Sequence, residues 1–129
     1  MIDRLTLDRC RKLKLQADLV KERLRWFSPK TSVRMDSVSR GTTKGQPTES
    51  AALTIIELEE RLAEIWTEYK DIADQIATEC VNLKPMTREV ILMRYVDGMD
   101  WPEIAYKLGY SDSYIFSLHR KALVAIGAV

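Results

Sequence analysis

A chain of 129 residues, 46% of them hydrophobic, is long enough for one packed domain or two small ones. Its 20 basic and 19 acidic residues leave a formal charge of +1, so the overall balance does not mark a polyanion-binding protein. No run approaches the roughly 18 consecutive apolar residues of a membrane span, and the N-terminal MIDRLTLDRCRKLKLQ lacks the unbroken apolar core of a secretory leader. The expectation is a cytoplasmic protein with no membrane partner.

Charge is instead distributed by segment. Residues 1–25 carry eight basic and four acidic groups, residues 50–80 two and eight, and residues 81–129 six and five, which sets a basic first segment against an acidic third. A first helix is predicted over residues 3–27, because Cys10, Leu13, Ala17, Val20, Leu24 and Phe27 recur in alternating three- and four-residue steps. Leu15, Leu19 and Trp26 are expected to widen that apolar face. Arg9, Arg11, Lys12, Lys14, Lys21, Arg23 and Arg25 read first as a solvated face or as partners of an acidic helix, and second as phosphate contacts.

Ser28 and Pro29 break the pattern, and the Ser, Thr, Gly and Pro content up to Ser50 predicts a flexible linker over 28–50. Gly41 and Gly45 beside Arg40 and Lys44 lack the spacing of a phosphate-binding loop. From 51 to 80 the most regular helix follows, with Ala51, Ile55, Leu58, Leu62, Ile65, Tyr69, Ile72 and Ile76 in a four-three repeat. Glu57, Glu59, Glu60, Glu64, Glu68, Asp71, Asp74 and Glu79 occupy its outer positions. They oppose the first helix in sign, so the two should form a long antiparallel hairpin or coiled coil whose remaining apolar edge makes a homodimer or higher homo-oligomer. Cys10 and Cys80 have no metal-ligand spacing and read as buried thiols, with a disulfide as the minor reading. No nucleophile, metal shell or cofactor loop is assembled by spacing. The chain is therefore expected to be no enzyme and to need no metal and no cofactor.

After Asn82 and Pro85 a three-helix unit is predicted. The first helix runs from Thr87 to Tyr95 or Val96 and buries Val90, Ile91 and Tyr95, with Asp97 and Gly98 as a turn. Asp100 N-caps the second, with Pro102 in its first turn and Glu103 at capping-box spacing; Ile104, Ala105 and Leu108 face inward and Gly109 ends it. Trp101 reads as an anchor between helices before it reads as a base-stacking platform. Ser111 caps the third helix, where Ile115, Leu118, Ala122 and Ile126 face inward, and the last two helices form a helix-turn-helix. Lone His119 fits neither a metal site nor a catalytic base. The boundaries expected are 1–27 for the basic helix, 28–50 for the linker, 51–82 for the acidic helix and 83–129 for the terminal domain.

If the last helix enters a DNA major groove, its base-facing set lies among Asp112, Ser113, Tyr114, Phe116, Ser117, Arg120 and Lys121. Serine hydroxyls can bond bases or phosphates, Phe116 can meet a thymine methyl, and Arg120 and Lys121 can neutralise phosphate, Arg120 also reading guanine. Asp112 suits the helix N-terminus but repels phosphate. Lys84, Arg88, Arg94 and Lys107 are further candidate phosphate contacts.

The segment TREVILMRYVDGMDWPEIAYKLGYSDSYIFSLHRKAL resembles the promoter-reading helix-turn-helix of bacterial sigma factors and related phage regulators. With the basic helix, the polar linker and the acidic helix joined through VNLKP, the likeness extends to small phage and prophage proteins of streptococci and related Gram-positive bacteria. That resemblance implies an all-α protein that binds double-stranded DNA and regulates late transcription, with host RNA polymerase as a further partner. It also implies Asp112, Ser113, Phe116 and Ser117 at base-facing positions, where Phe116 and Ser117 stand in place of the long polar readers usual in the family. Two other readings compete: a small terminase-like DNA-packaging adaptor, and a helical module that contacts polymerase without reading DNA.

Overall fold

The structure is a computed structural model and describes residues 2–27 and 49–128. The linker expected over 28–50 lies outside the described residues, apart from its last two, which are already helical. The described residues form, in order, five helices: α1 Arg4–Phe27, α2 Glu49–Glu79, α3 Pro85–Ile91 continuing as a π turn over Leu92–Val96, α4 Trp101–Leu108 and α5 Asp112–Ala125. No strand occurs among the described residues, so the fold is all-α, and none of these helices is long and apolar enough to cross a membrane.

The chain divides into two compact units, one within Gln16–Ile65 and the other formed by the chain up to Leu15 and from Trp66 onward. In the first, Ala17, Val20 and Ile65 are buried while Leu24, Ile55, Leu58 and Leu62 are half-buried, as the four-three spacing predicts, but Phe27 at the end of the predicted stripe is exposed. Leu19 and Trp26 do not widen this seam. They are 67% and 80% exposed, and Leu15 in the other unit also faces solvent. Among the described residues of this unit one helix faces another along the narrow stripe of a four-three repeat, which leaves side chains at the outer positions exposed.

In the second unit the Asp3 carboxylate caps α1, accepting from the Thr6 N–H at 2.9 Å and the Thr6 hydroxyl at 2.6 Å. Leu7, Cys10 and Leu13 are buried, as are Tyr69, Ile76 and Cys80. Leu7 extends the predicted stripe by one turn. Arg9 meets Glu68 through a two-pronged ion pair at 2.7 and 2.8 Å, while Ile2 lines a surface hollow with Gln75, Thr78 and Glu79. Rising numbers on α1 thus meet falling numbers on α2, which makes the pair antiparallel here. The Tyr69 hydroxyl donates to the Val96 carbonyl at 2.7 Å and ties α2 to the π turn. Both cysteines are free thiols, pushed up to about 11 by burial and therefore protonated at neutral pH.

α3 starts at Pro85, earlier than the Thr87 expected, because Lys84 is extended (φ −62°, ψ 148°) and a proline is well suited to the first helical turn. Over its last residues the helix loosens. The Asp97 N–H donates to the Leu92 carbonyl at 2.9 Å, five residues back, so this end is a π turn rather than the regular helix predicted through Tyr95 or Val96. Gly98 then turns the chain with φ +73°, as the Asp97–Gly98 pair foretold.

Candidate nucleic-acid interface

Local chemistry sets both ends of the turn between α4 and α5. Asp100 Oδ1 accepts from the Glu103 N–H at 3.3 Å and Glu103 Oε1 accepts from the Asp100 N–H at 3.4 Å, closing the reciprocal box read from the sequence. Gly109 takes the left-handed conformation (φ 77°, ψ 30°), and the N–H groups of Gly109 and Tyr110 both donate to the Ala105 carbonyl. Ser111 is extended and its Oγ accepts from the Tyr114 N–H at 3.2 Å, which starts α5. Val90, Ile104, Ala105, Ile115 and Leu118 form the shared core, with Met86, Met93, Met99, Trp101 and Leu108 packed around it.

The inner face of α5 is broader than predicted. Ile115, Leu118, Ala122 and Ile126 are buried as expected, and so are His119 and Leu123. His119 Nε2 shares a hydrogen bond with the Tyr95 hydroxyl at 2.7 Å, and its ring meets Trp101 edge-on at 4.7 Å. Burial, reinforced by the Arg4 and Arg94 guanidinium groups, pushes the imidazole down to about 4, so it is neutral at physiological pH. The residue is a core histidine with a satisfied polar end.

The outer face follows from turning about 100° per residue. Ser113, Ser117, Arg120 and Val124 lie along its middle, Phe116 on one flank, and Tyr114 and Lys121 on the other, with Asp112 in the first turn. All are exposed except Ser117, which is half-buried. Phe116 rests on the edge of Trp101, with ring centroids 5.1 Å apart and planes at 70°, and Tyr114 packs on Tyr110 at 4.7 Å. Trp101 carries the Arg94 guanidinium at 4.3 Å from its ring centre.

Among the candidate phosphate contacts, Lys84 and Lys107 are exposed and Arg88 is half-buried. Arg94 is committed elsewhere: besides stacking on Trp101 it donates to the Met99 carbonyl at 3.3 Å, and burial holds it below the usual arginine range. Val124 at 61% exposure and Tyr106 at 88% were not singled out from the sequence. The signal for Tyr106 was its four-residue spacing from Tyr110, which in turn stands four residues before Tyr114.

A short capped helix, a three-residue turn and a second helix whose outer face is free of core duty make a helix-turn-helix of the DNA-binding class. Residues 74–126 match the family model described as sigma-70, region 4, so this part of the chain is a sigma-factor-like helix-turn-helix. No curated protein and no solved structure matches the chain.

Proposed function

We propose that the chain is a phage or prophage regulator of transcription that reads a discrete double-stranded DNA site through α5 and acts without enzymatic chemistry. The observation that carries this reading is the outer face of α5, where Ser113, Arg120 and Lys121 are exposed and Ser117 half-buried, in the helix that a sigma-type unit presents to the major groove. α4 crosses the backbone in such docking, so Lys107 and Tyr106 serve as phosphate ligands. The biological setting, and host RNA polymerase as a second partner, are drawn from the likeness of nearly the whole sequence to small phage proteins.

Self-association completes the reading. The outer face offers few long polar side chains, so one unit binds weakly; two copies joined through their N-terminal helices read paired half-sites with greater avidity. Selection of genomic fragments by the full-length protein across a salt series, with the mass of the complex measured, tests this. Enrichment of one site by a dimer supports the proposal, enrichment of a packaging site by ring-sized oligomers favours an adaptor, and no enrichment at low salt overturns DNA reading.

A further inference from the structure

We infer that α5 selects its DNA site largely through thymine methyl groups, with Phe116 as the principal reader and Tyr114 and Val124 as supporting apolar surface. The inference rests on the DNA-binding reading above and specifies what that face recognises.

The outer face is short of groups for hydrogen-bonded base readout. Along its middle stand two serines, whose single hydroxyls cannot form the two-pronged pairs that distinguish bases strongly, and one arginine. Besides Asp112 and Lys121, the remaining exposed side chains are apolar or aromatic: Phe116 is 43% exposed, Tyr114 44% and Val124 61%. Among the base edges in the major groove, only thymine offers an apolar group, its C5-methyl. The apolar part of this face therefore matches the methyl groups of thymine-bearing steps, while Arg120 is its one strong hydrogen-bonding reader.

The support beneath Phe116 strengthens the assignment. Its ring packs in an edge-to-face pair with Trp101, which itself contacts the Arg94 guanidinium and the buried His119 ring. An exposed aromatic fixed in this way loses little rotamer freedom when it docks. Tyr110 supports Tyr114 in the same manner from the turn. The cations on and beside this face, Arg120, Lys121 and Lys107, fit a polyanion as the occupant.

The test uses the full-length protein and duplexes selected from random DNA. Each thymine is replaced singly by deoxyuridine, which removes the methyl group and leaves the pairing edge and O4 in place. Deoxyuridine at one or two positions is expected to weaken binding about four-fold each, the equivalent of one buried methyl group. In Phe116→Leu and Phe116→Ser proteins shown to be folded by circular dichroism, that sensitivity should shrink at one position, most in the serine variant, with the salt dependence unchanged. Selected sites that tolerate deoxyuridine throughout, or undiminished methyl sensitivity in Phe116→Ser, overturn the inference while leaving DNA binding intact. A folded protein that selects no DNA overturns both readings, and the exposed aromatics then belong to a protein-docking surface.

Discussion

The Tyr95 hydroxyl and His119 Nε2, 2.7 Å apart, join the π turn to the inner face of α5 through one buried hydrogen bond. Because the imidazole is pushed down to about 4 from an ordinary value of 6.5, the unfolded chain binds a proton here that the folded chain refuses. Folding is thus favoured above about pH 6.5, and the advantage is lost as pH falls from there toward 4. The difference is on the order of 3 kcal/mol across the window, at 1.36 kcal/mol per pKa unit. Urea unfolding at several pH values checks it: wild type should lose stability through this range more steeply than His119→Gln, and parallel curves would refute the assignment.

Removing only the phenolic oxygen probes the other end of the pair. Tyr95→Phe keeps the ring, which is 1% exposed, and leaves His119 Nε2 without its partner in a buried site. The cost should be about 1–3 kcal/mol, the range for orphaning a buried polar group. Denaturation at pH 7 measures it, and a loss well under 1 kcal/mol would mean that water replaces the hydroxyl.

What could be read beforehand was local in origin. The Asp100–Glu103 box, the Gly109 turn and the Ser111 cap depend on neighbouring residues, and each formed as the spacing predicted. Inward positions of α5 were legible for the same reason. His119 was not, because its polar ring reads as a surface group until Tyr95 and Trp101 arrive from other helices to satisfy and cover it. The π turn likewise has no composition of its own. Leu15, Leu19 and Trp26 show the opposite error: apolar character predicts burial, but all three are exposed, Leu19 and Trp26 because they fall outside the narrow stripe of the four-three repeat. In the candidate interface, exposure and type of α5 side chains were legible, whereas Arg94 on Trp101 and Trp101 under Phe116 required the tertiary structure.

Two glycines with almost the same backbone angle should differ in their response to alanine. At both Gly98 (φ +73°) and Gly109 (φ +77°) an L-residue would carry left-handed strain of about 1–2 kcal/mol. A Cβ at Gly98 would also stand 3.2 Å from Lys14 Cγ, whereas one at Gly109 meets nothing within 4 Å. Gly98→Ala should therefore be the more destabilising of the two, and Gly109→Asn should recover much of the loss because asparagine tolerates this conformation. Thermal melts of the three variants give the order, and equal losses for the two alanine variants would remove Lys14 from the account.

Arg94 and Arg120 should separate a supporting arginine from a DNA-contacting one. Arg120 is exposed on the outer face of α5, while Arg94 stacks at 4.3 Å on Trp101 and donates to Met99. Each phosphate contact contributes about 0.9 to the slope of log affinity against log salt. Arg120→Ala and Lys121→Ala together should then flatten that slope by nearly two with helicity and melting temperature preserved. Arg94→Ala should instead lower stability by about 1–2 kcal/mol through the lost cation–π contact and hydrogen bond. Where it remains folded, its salt slope should equal that of the wild type, and any weakening should come from a loosened Trp101 beneath Phe116. A flattened slope in Arg94→Ala would return that residue to the phosphate-binding set, and an unchanged slope in the Arg120/Lys121 variant would move the DNA to another face.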